Sequence, residues 1–231
     1  MTGVQTCALP ILSAAGTGKH QFGTGEDTAG LILPTTTGAK LVLSGPGRRQ
    51  RLRVQPLQLT EERQAQLEGR MLLYFTGIRR IAKNLLQQIV GSYLARETHT
   101  IQVLHSIKTL AMEMGYALEH GEWDYLGQLL DRHWALYQIL DPNVTNAPIN
   151  SILEKVRPYV AGAKLAGAGG GGFFMLLARS PEAAVKLRDV LVKTSAATNG
   201  AIYEWQVAKE GLRVETTPVK ITAPQSGAPR A

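Results

Sequence analysis

Apolar residues return every three or four positions through three stretches of this chain, about 80–95, 99–120 and 122–139, and that period predicts three helices. Ile81, Leu85, Ile89 and Ser92 or Tyr93 form one stripe; Ile101, Leu104, Leu110 or Ala111, and Met114 form a second. Both stripes are assigned to core. Gly121 separates the second and third helices and predicts an antiparallel pair. A fourth helix is expected over 148–160, opening at Pro148, a residue suited to a first helical turn. Shorter apolar segments read as strands. Residues 40–44 and 51–55 flank the turn Gly45-Pro46-Gly47 as a hairpin, and 70–75 ends at Thr76-Gly77. Residues 163–166 and 173–178 flank a glycine run, and 201–208 alternates through Ile202, Tyr203, Glu204, Trp205 and Val207. Thr60 before Glu61-Glu62-Arg63 caps a short helix, and Ser180-Pro181-Glu182 opens one that reaches about residue 193.

Composition narrows this picture. With 44% apolar and 19% charged residues in 231, the chain can bury the core of one or two domains. No run of 18 apolar residues occurs, so no membrane partner is expected. The mildly apolar stretch 7–15 lacks a preceding Lys or Arg and is broken by Pro10 and Ser13, unlike a signal peptide. Cys7 is the only cysteine, which excludes an internal disulfide framework and a thiolate metal cluster and makes a cytoplasmic compartment the default expectation. The net charge of +7 raises nucleic acid as a partner, but the one basic cluster, Arg48, Arg49, Arg51 and Arg53, partly alternates with Leu52 and Val54 as the solvent face of a strand does. No nucleic-acid partner is expected; a basic surface equally suits ligands carrying several phosphates. His99, His105, His120 and His133 form no i, i+4 pair with one another, so they are placed at the surface or its boundary and no metal site is predicted. Residues 1–38 show no sustained period, and their opening from Met1 to Ile11 resembles translated sequencing-library adapter. The expected division is therefore an irregular start at 1–38 with a remnant of a preceding domain, a main unit at 39–215, and a disordered tail at 216–231.

The chemistry centres on Gly167-Ala168-Gly169-Gly170-Gly171-Gly172. Four consecutive glycines cost about 0.5–1 kcal/mol each in backbone entropy relative to alanine, so the run needs a reason. One reason is anion binding, because bare amides can converge on a phosphate; the other is a tightly packed turn. The run also satisfies G-x-G-x-x-G, the fingerprint of a dinucleotide-binding oxidoreductase, which requires a helix directly after the loop. Phe173-Phe174-Met175-Leu176-Leu177 instead reads as a strand. A P-loop is approached at 13–20, but Ser13 replaces the first glycine and His20 the hydroxyl residue.

The stretch from Gly162 to Phe173, Gly-Ala-Lys-Leu-Ala-Gly-Ala-Gly-Gly-Gly-Gly-Phe, resembles the third motif of the GHMP kinases, which lies between two strands of their C-terminal domain. The segment from Arg70 to Leu86, with its Thr76-Gly77 turn, resembles the strand, turn and helix of the L-fucose kinases and of the related heptose-phosphate kinases; Ala82-Lys83-Asn84 favours the fucose branch. The resemblance runs over about 39–215 and includes Trp134 and the Thr145-Asn146 turn. It implies an α+β fold, a ferredoxin-like antiparallel sheet with additional helices, and transfer of the ATP γ-phosphate to a sugar hydroxyl. ATP and Mg²⁺ are the implied cofactors, with the metal ligands expected in a preceding N-terminal part. Partners are the sugar and ATP, with a guanylyltransferase domain in the full-length parent. By the same resemblance Gly167, Ala168, Gly169, Gly170 and Gly171 lie against the phosphates and the nucleotide loop. Thr76 and Gly77 lie near substrate, Arg80 can reach a phosphate or sugar hydroxyl, and Asp27 aligns with the catalytic base. The match at Asp27 departs from the family, since Gly25 stands where an aromatic is expected and Glu26 and Thr28 where glutamines are. The family's Pro-x-x-x-Gly-Leu-Gly-Ser-Ser-Ala loop is absent from the sequence, so a non-catalytic fragment or nucleotide-binding module stays open as the alternative; a dinucleotide-binding oxidoreductase stays open behind it, decided by whether a helix follows Gly172.

Overall fold

The computed structural model describes residues 40–45, 51–78, 89, 91–167 and 169–207. The helix expected at 80–95 falls largely outside them, as do Asp27, Arg80 and Ala168. Strands β1 (Lys40–Gly45) and β2 (Arg51–Pro56) pair antiparallel, with Lys40 opposite Pro56 and Gly45 opposite Arg51, as the hairpin pattern requires. Helix α1 (Glu61–Arg70) starts where its cap predicts: the Thr60 hydroxyl accepts from the Arg63 amide at 3.3 Å, and Glu61 and Glu62 sit in the first turn, favourable to the helix dipole. It runs directly into β3 (Met71–Phe75).

Helices α2 (Thr98–His120) and α3 (Trp123–Leu140) form the expected antiparallel pair. Between them Gly121 takes a left-handed φ of 71°, and its amide turns back to the carbonyls of Ala117 and Leu118 to close α2. The buried stripe of α2 is Val103 and Leu104, Ile107, Leu110 and Ala111, Met114, then Ala117 and Leu118. Ile101, expected in that stripe, is only half-buried in the first turn. A 3-10 turn (Pro142–Val144) leads to α4 (Ala147–Val156), which is shorter than the 148–160 expected: Arg157 is still helical and bonds the Leu153 carbonyl, but Pro158 has no N–H to carry the ladder on. Then come β4 (Val160–Leu165), β5 (Phe173–Ala178), α5 (Pro181–Ala197) and β6 (Ala201–Tyr203). The last strand is shorter than its alternating pattern suggested. It pairs only with Leu73–Phe75, after which the Trp205 indole donates to the Met71 carbonyl at 2.7 Å and takes the chain out of the ladder.

The four-stranded sheet has the order β4-β5-β3-β6 with every neighbour antiparallel. Numbered along the chain these strands lie as 2-3-1-4, the β-α-β-β-α-β ferredoxin-like arrangement, with α2, α3 and α4 all inserted between the first two strands. Side-chain alternation gives the sheet two apolar faces. Leu72, Tyr74, Ala163, Leu165, Phe174 and Leu176 share a cluster with Ile149, Ile152 and Val156 of α4 and Leu187 and Leu191 of α5. Met71, Met175 and Leu177 share the other with Leu67 of α1, Leu110 and Met114 of α2, and Leu126 and Leu130 of α3. The fold is α+β, a sheet between two helical layers.

Strand β4 lies at the sheet edge, and α3 covers it. A Cβ on Gly162 would fall inside the backbone of Gly127, and one on Gly127 would lie 2.5 Å from the Ala161 carbonyl carbon, so helix and strand meet backbone to backbone. The ladder slips between Val160 and Gly162, and the Asp131 carboxylate of α3 accepts from the Ala163 amide at 2.9 Å while pairing with Arg157 at 2.8 Å. An edge amide and a bulge are thus satisfied by a helix side chain. Gly162→Ala must push α3 off β4 and is expected to lower unfolding stability by about 3 kcal/mol, the upper range for overpacking, in urea denaturation. Gly69→Ala in α1, whose Cβ meets nothing within 4 Å, serves as control and should be neutral or stabilising by up to about 1 kcal/mol. A Gly162→Ala variant as stable as the control would disprove the close contact.

Candidate functional site

The glycine run joins two adjacent antiparallel strands and is held from both sides. At its base the Ala166 amide donates to the Phe173 carbonyl at 2.8 Å, closing the loop as a hairpin between β4 and β5. No helix N-terminus follows Gly172, because β5 begins at Phe173. The dinucleotide-binding alternative lacks its required strand-loop-helix setting and is overturned.

The first clamp comes from the end of β3. The Thr76 amide and hydroxyl both donate to the Gly172 carbonyl, at 2.9 and 3.0 Å, and the Gly172 amide donates to the Ile78 carbonyl at 2.9 Å. The same hydroxyl accepts from the Ile78 amide at 3.3 Å. Thr76, expected near substrate, is 2% exposed, with its hydroxyl occupied in fastening the turn to the loop. Gly77, at φ 77°, presses against the connection between α5 and β6; a Cβ there would stand 2.7 Å from the Asn199 carbonyl carbon. The second clamp is the passage from α3 to α4. The Gly170 amide donates to the Val144 carbonyl at 2.5 Å, and the Asn146 side-chain amide donates to the Gly170 carbonyl at 3.2 Å. That passage is itself braced: the buried Asp141 carboxylate accepts from the backbone and side-chain amides of Asn143, at 2.7 and 2.8 Å, which closes the 3-10 turn presenting Val144.

These contacts explain why glycine stands where it does. Gly170, at φ 75°, has its N–H and C=O bonded to Val144 and Asn146 in a backbone conformation that L side chains rarely take. Gly171 lies so close to the β3 turn that a Cβ would stand 2.6 Å from the Ile78 carbonyl oxygen. The loop therefore does not offer all its amides to a ligand, since those of Gly170 and Gly172 are taken up by the chain itself. Among the described residues its open places are Gly167 and Gly172, whose Cβ directions meet no described atom within 4 Å. Among the described residues no group of three or more His, Cys, Asp or Glu is placed to hold a metal ion. No helix among them is long and apolar enough to cross a membrane.

The structure thus brings Thr76 and Gly77 together with Gly169, Gly170 and Gly171. Asn146 and Val144 complete the site; the readable signal was the N-cap rule for an Asn two residues before Pro148. His133, by contrast, had been placed at the surface or its boundary and is 1% exposed. It continues the buried stripe Leu126, Leu129, Leu130, Trp134 and Tyr137 of α3, and its ring stacks on Tyr137 with centroids 4.9 Å apart. Among the described residues its two ring nitrogens have no hydrogen-bond partner. Lys164, in the strand leading to the glycine loop, is equally buried. Burial, and then the neighbouring Lys164 charge, hold the His133 pKa well below its usual value, so the ring is neutral in the fold.

Comparison with known proteins places these features in a family. Residues 114–196 match the family described as GHMP kinases C terminal. The bifunctional fucokinase/GDP-fucose pyrophosphorylase of Arabidopsis thaliana is 36% identical over 192 residues, 82% of this chain and 18% of that protein. The D-glycero-alpha-D-manno-heptose 7-phosphate kinase of Campylobacter jejuni subsp. jejuni is 27% identical over 164 residues, 71% of this chain and 46% of that protein. The crystal structure of L. major mevalonate kinase in complex with R-mevalonate shares the fold at a TM-score of 0.58 and 21% identity, covering 84% of this chain and 56% of that one. The chain therefore spans less than a fifth of the fucokinase and under half of the heptose-phosphate kinase.

The setting of His133 gives the α3–β4 contact a pH dependence. The unfolded imidazole takes up a proton near pH 6.5, whereas the folded one resists it. Stability should be intact above that pH and fall as the pH drops toward the depressed folded value, by at most about 1.4 kcal/mol per pH unit. His133→Phe keeps the ring stack and removes the titration. Urea midpoints measured between pH 7.5 and 5 should fall less steeply for the variant; parallel profiles would refute the assignment.

Proposed function

This chain carries the C-terminal domain of a GHMP kinase, and we propose that it is the C-terminal part of an ATP-dependent sugar kinase acting on L-fucose. The observation that carries the reading is the strand-to-strand glycine loop fastened to the Thr76-Gly77 turn. Both segments lie in the part of the chain that the fucose-kinase resemblance covers. The higher identity to the fucokinase, 36% against 27% for the heptose-phosphate kinase, favours fucose over a heptose phosphate.

In the proposed reaction the sugar hydroxyl oxygen attacks the γ-phosphorus of ATP. The new O–P bond forms as the bond to the bridging oxygen breaks, ADP leaves, and the hydroxyl proton passes to a base. With L-fucose the product is L-fucose 1-phosphate. Such transfer asks the protein mainly for positioning and charge neutralisation. The loop supplies a rigid, side-chain-free surface at Gly167 and Gly172 where phosphates can approach closely. Gly169, Gly170 and Gly171 shape that surface from below, and Thr76 and Gly77 hold it in register. Asp27 as base, Arg80 as the phosphate or sugar contact, a cytoplasmic setting, and a guanylyltransferase domain on the parent chain belong to the same proposal.

A second reading is a nucleotide-binding module without turnover, for which the braced glycine loop by itself would suffice. One experiment on the 231-residue chain tests the nucleotide site common to both readings, and only turnover distinguishes them. Mg-ATP should shift the amide resonances of Gly167 and of Gly169 to Gly172, with a dissociation constant of about millimolar, and L-fucose should stimulate no ADP release. No shift at the loop at saturating ATP would sink the nucleotide reading. Fucose-dependent ADP release would instead show that the isolated chain is catalytically competent.

A further inference from the structure

We infer that Asn146 is a positioning residue for the glycine loop, joining the start of α4 to Gly170 and thereby setting the direction of the Gly171 amide; the inference builds on the reading of the loop as a phosphate surface. The carboxamide is used at both ends. Its oxygen accepts from the Ile149 amide at 3.0 Å and caps α4, while its nitrogen donates to the Gly170 carbonyl at 3.2 Å. The assignment of the two atoms is fixed by their partners, because a backbone N–H needs an acceptor and a carbonyl needs a donor. Capping alone would be served as well by Asp, Ser or Thr. Of the strong capping residues, only Asn adds an NH₂ donor aimed at a second element.

The consequence for the loop follows from peptide geometry. The Gly170–Gly171 peptide is planar and trans, so the Gly171 N–H points opposite to the Gly170 carbonyl. Holding that carbonyl against Asn146 fixes where the Gly171 amide points. Two residues before Asn146, Val144 holds the Gly170 amide, and on the other side Thr76 holds the Gly172 carbonyl. Gly170 has no side chain of its own to define its φ of 75°, so its orientation depends on these outside partners.

Asn146→Asp keeps the cap and removes the donor, setting a carboxylate against the Gly170 carbonyl; Asn146→Ala removes both functions; Asn146→Ser repeats the test with a neutral cap. In the 231-residue chain the melting temperature should fall less for Asp, which keeps the cap, than for Ala, which loses cap and donor and drops by at least about 2–4 °C. Amide hydrogen exchange at Gly170 should accelerate about three- to tenfold in both, the expected loss for one hydrogen bond, with Ile149 still protected in the Asp variant. Affinity for Mg-ATP should weaken by a similar factor in both. Wild-type exchange at Gly170 together with wild-type ATP affinity in Asn146→Asp and Asn146→Ser would overturn the inference and leave Asn146 a helix cap. Faster exchange at Gly170, with no ATP response at the loop in wild type or variants, would uphold the positioning role and remove the phosphate reading instead.

Discussion

The backbone contact between α3 and β4 is the constraint on which the rest of the site depends. Gly127 and Gly162 let helix and strand approach without intervening side chains. At that distance the Asp131 carboxylate reaches the Ala163 amide of an edge strand whose register has slipped. A buried edge N–H left without a partner would cost about 1–3 kcal/mol, so the carboxylate is part of what makes the contact tolerable. Because α3 is set down so closely on β4, the chain that leaves it, Asp141 to Asn146, passes alongside the loop that leaves β4. Val144 and Asn146 reach Gly170 by virtue of that placement.

Glycine in the loop is explained first by the protein's own packing. Gly169 and Gly171 face Val144 and Ile78 at distances no Cβ would fit, and Gly170 and Gly172 take positive φ with their amides bonded to those same segments. Anion binding and tight packing are thus not competing accounts of the run. The stretch 169–172 is held by Val144, Asn146, Thr76 and Ile78 through bonds that need no phosphate, and such preorganisation lowers the entropy cost of binding. Among the described residues, Gly167 and Gly172 are the loop glycines whose Cβ direction is open, and the proposed phosphate contact rests on them.

The same layer holds a less comfortable feature, a neutral histidine and a lysine buried side by side between α3 and β4. Desolvation disfavours a proton on His133, and the nearby Lys164 adds to the penalty. The stack on Tyr137 and the apolar stripe of α3 hold the ring in place without satisfying its nitrogens.

Much of this was legible along the chain because it rests on interactions between near neighbours. The Thr60 and Ser180 caps, the Gly121 stop, the β1–β2 hairpin and the strand after the glycine run follow from local rules, and the last of these was enough to set aside a dinucleotide fold. Where the pattern fell short, tertiary packing was responsible. His133 sits on an apolar stripe of α3 that its chemistry argued against and is buried by the packing of that helix; the bond from the Thr76 hydroxyl to a carbonyl 96 residues away could not be read from spacing. Among the described residues the sequence by itself determined the type of each element, though not every boundary, and that a glycine loop joins two strands. Only the tertiary structure decided that Gly170 is gripped by Asn146 and Gly172 by Thr76. Those bonds join residues brought together by sheet order and helix placement, and backbone conformation at a glycine is left open until such partners fix it.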